Sequence, residues 1–197
     1  MRRYNAEISA GSLMLTESRK IATLLLSNPS DAQWNHAIKI ENILQKNTPA
    51  TAKRQASLLR KRLMTLDTEG WKLIAEGELE VSTQLLLCAA IKHSVLLGDF
   101  LQDVYFTQLN RMELALNKHL WDAFWSECTH RDPEIKQWSA STKAKLFEVI
   151  IRILVEAKYI YSSRKMTITP PILHPAVISF LKRHGELGIL SVMKVSR

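Results

Sequence analysis

Residues 47–63, NTPATAKRQASLLRKRL, combine a helix start, a regular apolar stripe and a dense set of cations. Asn47 tolerates a left-handed C-cap, Thr48 is biased out of the helical region by the proline after it, and Pro49 suits the first helical position. Alanine and leucine then recur at helical spacing, which predicts a helix with one buried face. That stripe consists of Ala52, Ala56, Leu59, Leu63 and Leu66.

The other side of this predicted helix is cationic. At about 100° per residue, Arg54 and Lys61 point directly away from the apolar stripe. Residues 42–66 contain six basic residues and no acidic one, so this segment lacks the ion pairs of alternating sign that usually decorate a solvent-facing helix. The flanks of the cationic face carry Lys53, Arg60 and Arg62, with Ser57 beside Arg54.

The rest of the chain favours helices as well. It has 197 residues, 46% of them hydrophobic, and its six Gly and six Pro leave few breaks, so we expect an all-α protein with a buried core. We predict a multi-helix fold with an N-terminal helix-turn-helix and a C-terminal winged-helix-like unit that carries a small β-hairpin. The predicted regions are 1–66 (helical, with the helix-turn-helix), 67–138 (central, helical) and 139–197 (winged-helix-like).

The helix-turn-helix is predicted from the segment before the basic helix. A helix that starts near Asp31 and extends toward Leu44 would precede it across a turn of about three or four residues. In that motif the start of the second helix enters the major groove, where Arg54 would reach a guanine edge. Thr48 and the backbone N–H groups of residues 49–51 would hold a phosphate. The residues presented in this way are Thr48, Ala50, Thr51, Lys53, Arg54 and Ser57, while Arg60, Lys61 and Arg62 would follow the phosphate backbone.

The C-terminal third suggests a second basic surface. A helix capped by Ser139 or Ser141 ends near Ala157, and the β-prone runs KYIY (158–161) and MTIT (166–169) flank a basic turn. We expect DNA contacts from Lys143 and Lys145 at the helix start and from Arg164 and Lys165 at the tip of the hairpin. A hairpin that only covers the core is the alternative.

Charge is segregated along the chain. The net charge is +8; residues 1–66 hold 11 basic and 4 acidic residues, and residues 140–197 hold 10 and 3. Residues 67–104 hold 2 basic and 7 acidic residues, and residues 105–139 are close to neutral. Two separated basic regions indicate a protein that contacts a polyanion at two places. The alternative is that the basic residues cluster by chance on solvent-exposed faces.

Catalytic and metal-binding motifs are not apparent. The chain has no Gly-rich phosphate loop, no H-E-x-x-H and no G-x-S-x-G, and its six histidines are scattered singly. We therefore predict that it is not an enzyme and holds no cofactor or metal. Cys88 and Cys128 lie far apart without C-x-x-C spacing, which fits a reducing cytoplasm. The longest apolar runs fall far short of the roughly 20 residues that span a bilayer, so we expect no membrane contact.

Two stretches carry a family resemblance: AEISAGSLMLTESRKIA at 6–22 and IENILQKNTPATAKRQASLLRKRL at 40–63. Together with the C-terminal pattern, they resemble the small BrxA component of bacterial BREX phage-resistance systems over essentially the whole chain. That family has also been labelled an inner-membrane protein, which conflicts with the hydropathy of this sequence. The resemblance implies a non-enzymatic cytosolic protein that binds duplex DNA beside other BREX proteins. On this resemblance, the basic helix at 49–63 is the one segment that we expect to contact DNA.

The resulting hypothesis is a cytoplasmic accessory protein that binds double-stranded DNA mainly through phosphate contacts. One alternative is a scaffold that uses the same basic faces to hold acidic protein partners without touching DNA. RNA binding is a weaker alternative, because no exposed aromatic platform is evident. The sequence sets no oligomeric state. The predicted DNA-contacting residues are Thr48, Thr51, Lys53, Arg54, Ser57, Arg60, Lys61, Arg62, Lys143, Lys145, Arg164 and Lys165.

Overall fold

A computed structural model describes residues 3–194, and 69% of the structure is helical. The predicted all-α class is confirmed. The α-helices in this part of the chain are α1 (Leu15–Leu26), α2 (Asp31–Lys39), α3 (Pro49–Leu63), α4 (Thr68–Glu76), α5 (Leu79–His93), α6 (Val95–Phe100), α7 (Thr107–Asn110), α8 (Lys118–Arg131), α9 (Ala140–Glu156), α10 (Pro175–Arg183) and α11 (Leu187–Met193). Two 3-10 helices, Glu7–Ala10 and Pro133–Gln137, and a π-helix, Leu101–Phe106, complete the set.

The chain divides into two compact units. Residues Leu13–His93 form one of them, called here the 13–93 unit. The other, called the split unit, combines Met1–Ser12 with Ser94–Arg197. The division of the chain into regions 1–66, 67–138 and 139–197 remains a prediction from the sequence.

The 13–93 unit is built around α5. Residues 85–91, LLLCAAI, are all buried, and a helix that is apolar on every side needs neighbours on every side. Helices α1, α3 and α4 supply them, and α3 also packs against α1 and α2. Local signals start the helices: Ser30 and Gln33 form a reciprocal capping box on α2, and the Asp67 carboxylate accepts the Gly70 N–H at 2.9 Å on α4.

Residues 4–8 contribute to the core of the split unit. Tyr4 and Ile8 are 1% and 0% exposed. The Asp132 carboxylate accepts the backbone N–H of both Arg3 and Tyr4 at 2.9 Å, and the Tyr4 hydroxyl donates to Asp99 at 2.6 Å. Burial and this hydrogen bond raise the pKa of the Tyr4 hydroxyl. The N-terminal segment is therefore a structural part of this unit.

Aromatic side chains fill the centre of the split unit. The ring of Phe100 packs against those of Trp121 and Phe124 with centroids 5.8 and 5.3 Å apart. Tyr105 packs against Tyr159 in the same way, at 5.2 Å. All five rings are buried. These buried rings form much of the core of the split unit.

The predicted β-hairpin, and with it the winged-helix-like unit, is wrong. The described residues contain no strand, and segments 158–161 and 166–169 meet only through the isolated bridge Ile160↔Ile168. Lys158 and Met166 adopt positive φ values of 63° and 48°, which bend both runs out of a ladder. Segment 166–168 also bonds to residues 114–116 on its other side, so its pairing is shared between two partners.

The predicted short turn before the basic helix is also wrong. Helix α2 ends at Lys39, not near Leu44, so residues 40–48 connect it to α3. Asn42 and Gln45 adopt positive φ values of 48° and 53° in this connection, and the Asn42 side chain closes it by bonding both backbone groups of Lys46. The arrangement is a structured loop between two helices.

Membrane spans were sought in the described part of the chain. No single helix there is both long and apolar enough to cross a bilayer. By length and composition alone, the consecutive pair Leu79–His93 and Val95–Asn110 passes as a bent span.

Candidate nucleic-acid interface

The basic helix begins where its sequence indicates. Thr48 is the N-cap, with an extended backbone, and its Oγ1 accepts the Thr51 N–H at 3.2 Å. Pro49 occupies the first helical position and has no N–H. Residues 49–51 were expected to offer backbone N–H groups to a phosphate. Pro49 has none and the Thr51 N–H donates to the cap, so within this segment the Ala50 N–H is the group that a phosphate could still contact.

The buried side of α3 is wider than the predicted stripe. Ala52, Ala56, Leu59 and Leu63 are at most 1% exposed, as expected. Leu58 and Arg62 are buried too, at 3% and 2%, because α3 packs against α1, α2 and α5. Arg62 therefore lies in the interior, and its expected place on the flank of the cationic face is wrong.

The outward side of α3 keeps its cations. Lys53, Arg54, Ser57 and Lys61 are all exposed, and at spacings of three and four residues they share one face. The side chains of Lys53 and Arg54 form no ion pair or hydrogen bond with any residue from 3 to 194. Because α3 contains no acidic residue, the positive charge of this face is not neutralised within the helix. We call Lys53, Arg54, Ser57 and Lys61 the α3 face.

Two other cations of this region have structural contacts. The Arg60 guanidinium lies over the Trp34 ring, 4.6 Å from its centroid, and so joins α3 to α2. The Lys46 ammonium donates to the Glu17 carboxylate on α1 at 2.5 Å. Burial alone would raise the pKa of Glu17, but the hydrogen bond and charge of Lys46 lower it overall. Arg60 was expected to follow the phosphate backbone, and its contact with Trp34 joins two helices, which the pattern of one segment does not indicate.

The predicted contacts at the start of α9 are paired with acids. The Lys143 ammonium lies 2.6 Å from Asp122 on α8, and Lys145 lies 2.9 Å from Glu148 one turn later. Hydrogen bonds from these two lysines lower the pKa of Asp122 and of Glu148. Lys143 is therefore paired with its own carboxylate, whereas Lys145 shares Glu148 with Arg152, whose guanidinium lies 2.6 Å from it.

Arg164 and Lys165 remain exposed in the split unit. They lie in a turn in which the Ser162 hydroxyl accepts the Lys165 N–H at 3.2 Å. The structure thus brings the predicted residues of α3 together in the 13–93 unit and places the other four, Lys143, Lys145, Arg164 and Lys165, in the split unit. The predicted contact set as a whole stays a prediction.

Comparisons with known proteins cover nearly all of the chain. The family model described as BrxA matches residues 2–185. A protein of Paramagnetospirillum magneticum named "BREX protein BrxA" is 42% identical over 194 residues, 98% of each chain. An Escherichia coli protein of the same name is 35% identical over 191 residues, 97% of this chain and 90% of that one. The crystal structure of an uncharacterized protein from Magnetospirillum magneticum, 42% identical, superposes with a TM-score of 0.91 over 98% of this chain and 100% of that chain.

Proposed function

We propose that this chain, which belongs to the BrxA family of BREX phage-defence systems as the resemblance at residues 6–22 and 40–63 predicted, binds double-stranded DNA through the α3 face. The observation that carries this proposal is the exposure of Lys53 and Arg54 on a helix without a single acid. Cations with no internal partner lose no ion pair when they contact a phosphate, so their interaction with a polyanion is favourable.

The mode of binding follows from the side chains of the α3 face. Lysine presents a point charge to phosphate, whereas arginine also forms bidentate bonds to a guanine edge. With mostly lysine and serine beside Arg54, we expect phosphate contacts to dominate and sequence preference to be modest. The three exposed cations of α3, with Arg164 and Lys165 as a second set, correspond to about three to five phosphates.

We further propose that the role is accessory and non-enzymatic, in the cytoplasm and beside other BREX proteins. The support for this part is the absence of catalytic motifs from the sequence and the BREX name of the relatives.

The test compares two charge reversals of equal size in the same unit. Arg54→Glu changes the α3 face, and Lys72→Glu changes an exposed lysine on α4. We expect Arg54→Glu to weaken binding to a fluorescently labelled duplex of about 20 base pairs by roughly tenfold or more at low salt, and Lys72→Glu to have a much smaller effect. Equal effects would show that only net charge matters and would contradict a defined interface.

The same variants separate the rival roles. If the α3 face holds an acidic protein instead of DNA, Arg54→Glu will disrupt assembly with other BREX proteins, and the wild-type chain will not bind the duplex. Competition by duplex RNA of matched length tests the RNA alternative: we expect it to displace DNA poorly.

A further inference from the structure

An exposed tyrosine lies on a basic turn of the split unit, residues 158–166, called here the Tyr161 turn. Tyr161 is 79% exposed, and it is the one aromatic residue among the nine exposed large apolar side chains of residues 3–194. Its hydroxyl forms no hydrogen bond with any residue in that range. A single exposed apolar side chain is ordinary, so the meaning of this ring depends on what surrounds it.

The cations of the Tyr161 turn have no acidic partner. Lys158 lies three residues before Tyr161, and Arg164 and Lys165 lie three and four residues after it. All three are exposed, and their side chains form no ion pair or hydrogen bond with any described residue. Residues 157–185 contain five basic residues and no acidic one. The charge of the Tyr161 turn is therefore complementary to an anion from outside the chain.

The core of the split unit fixes both ends of the Tyr161 turn. Tyr159, two residues before Tyr161, is 1% exposed. The Tyr105 hydroxyl lies 2.9 Å from the Tyr159 carbonyl oxygen and 2.6 Å from that of Thr169, and the Tyr161 N–H donates to the Thr167 carbonyl at 2.9 Å. A ring on a segment held in this way loses little conformational freedom when it binds a ligand.

The charge and the ring together favour a nucleic acid with unpaired bases. Cations without carboxylate partners attract phosphates, and an exposed aromatic ring adds stacking, which is favourable for any base because every base has a π face. In an intact duplex both faces of a base are covered by its neighbours. A blunt duplex would therefore satisfy the three cations and leave the ring unused, whereas a single strand uses both.

We propose that the Tyr161 turn binds single-stranded DNA, with the Tyr161 ring stacked on one base and with Lys158, Arg164 and Lys165 on the flanking phosphates. This inference rests on the proposed function in taking DNA as the ligand, but it uses none of the residues of the α3 face. Three phosphates of a single strand correspond to a log–log salt slope of about −2.

The test compares three substitutions in the full chain. The probe is a fluorescently labelled deoxythymidine oligonucleotide of about 12 nucleotides, followed by fluorescence anisotropy at low salt. Tyr161→Phe keeps the ring and should bind like the wild type, whereas Tyr161→Leu keeps an apolar side chain without the ring and should bind about fivefold more weakly or worse. Ile172→Ala, at a side chain of the same unit that is 82% exposed, is the control and should bind like the wild type.

Two further probes separate stacking from charge. An oligonucleotide of the same length without bases should bind the wild type about as weakly as the deoxythymidine oligonucleotide binds Tyr161→Leu. A 5-iodouracil base in the probe should photo-cross-link to Tyr161. The proposal is overturned if Tyr161→Leu binds the probe like the wild type, if Tyr161→Phe is as weak as Tyr161→Leu, if a uridine oligonucleotide binds more tightly, or if the cross-link lies elsewhere.

A blunt duplex distinguishes failure of this proposal from failure of the proposed function. We expect Tyr161→Leu to change the affinity for the duplex by less than about twofold, because a duplex offers the ring no free base. If Arg54→Glu weakens duplex binding while Tyr161→Leu leaves single-strand binding intact, the α3 face stands and the Tyr161 turn is excluded. If the wild type binds only the single strand and needs the Tyr161 ring to do so, the reverse holds.

Discussion

Arg54 and Arg62 lie on the same helix, where the first is exposed and the second is 2% exposed. Arg62→Ala removes a large buried side chain, so we expect it to lower the free energy of unfolding by about 2–4 kcal/mol. Arg54→Ala removes only exposed atoms and should change it by less than about 0.5 kcal/mol. Urea unfolding measures both values. Equal destabilisation by the two substitutions would contradict the burial described for Arg62.

The ion pair of Glu17 with Lys46 makes the stability of the protein depend on pH in the acidic range. Its pKa is lowered in the folded state by Lys46, so its contribution to stability is present above the unfolded pKa of about 4.5 and is lost as the pH falls through the lower folded value. We expect the urea midpoint to fall on acidification below about pH 4.5, and Glu17→Gln to reduce that fall. Glu76→Gln, at an exposed position of α4, is the control. An unchanged pH profile in Glu17→Gln would argue against the pair with Lys46.

The residue pattern predicted much of α3 and missed one side chain for a physical reason. Spacing alone identifies Ala52, Ala56, Leu59 and Leu63 as buried, because these positions face the same side of any helix. The same arithmetic places Arg62 on a flank. Its burial depends on α3 having three helical neighbours, which is information about the fold and not about the segment.

At the level of the element, the start of α3 depends on one hydroxyl. Thr48→Ala removes the acceptor for the Thr51 N–H, and we expect a loss of about 0.5–2 kcal/mol in the free energy of unfolding. Thr48→Ser keeps the acceptor and should stay close to the wild type. Both are measured by urea unfolding. If serine destabilises as much as alanine, the Thr48 cap does not hold the helix start.

Elements defined by local signals were predicted well, and elements defined by distant contacts were not. Pro49 predicted the start of α3. The sequence offered Ser139 or Ser141 as the cap of α9, and in the structure it is Ser139 that accepts the Thr142 N–H, at 3.1 Å. The β-prone runs 158–161 and 166–169 suggested a hairpin, but Tyr159 and Ile160 are each 1% exposed and fixed in the core. Segment 166–168 bonds to residues 114–116, some fifty positions earlier, and no local pattern indicates that contact.

For the whole molecule, the main surprise is that residues 1–12 belong with residues 94–197. Composition and charge profiles predict regions of consecutive residues, so they do not indicate a unit that combines two separate segments of the chain. Asp99 and Asp132 join the N-terminal segment to that unit through buried hydrogen bonds. No sequence pattern distinguishes these two acidic residues from other acids in helical segments.

This grouping predicts where a substitution in the N-terminal segment acts. Tyr4→Ala removes a buried ring and its bond to Asp99, so we expect about 3–5 kcal/mol of destabilisation. Hydrogen exchange should accelerate in residues 94–194 more than in residues 13–93. Asn5→Ala, at a half-buried neighbour, is the control. Uniform acceleration in both units would contradict the grouping.

The central claim is that exposed cations on α3 bind the phosphates of duplex DNA. The most direct measurement is the affinity for one duplex as a function of salt, for the wild type and for Lys53→Glu/Arg54→Glu. The wild type should lose affinity linearly in log–log form with a slope of about −3 to −5, and the double variant should bind much more weakly with a shallower slope. Absence of binding at low salt, or equal slopes and affinities for the two proteins, would contradict the claim.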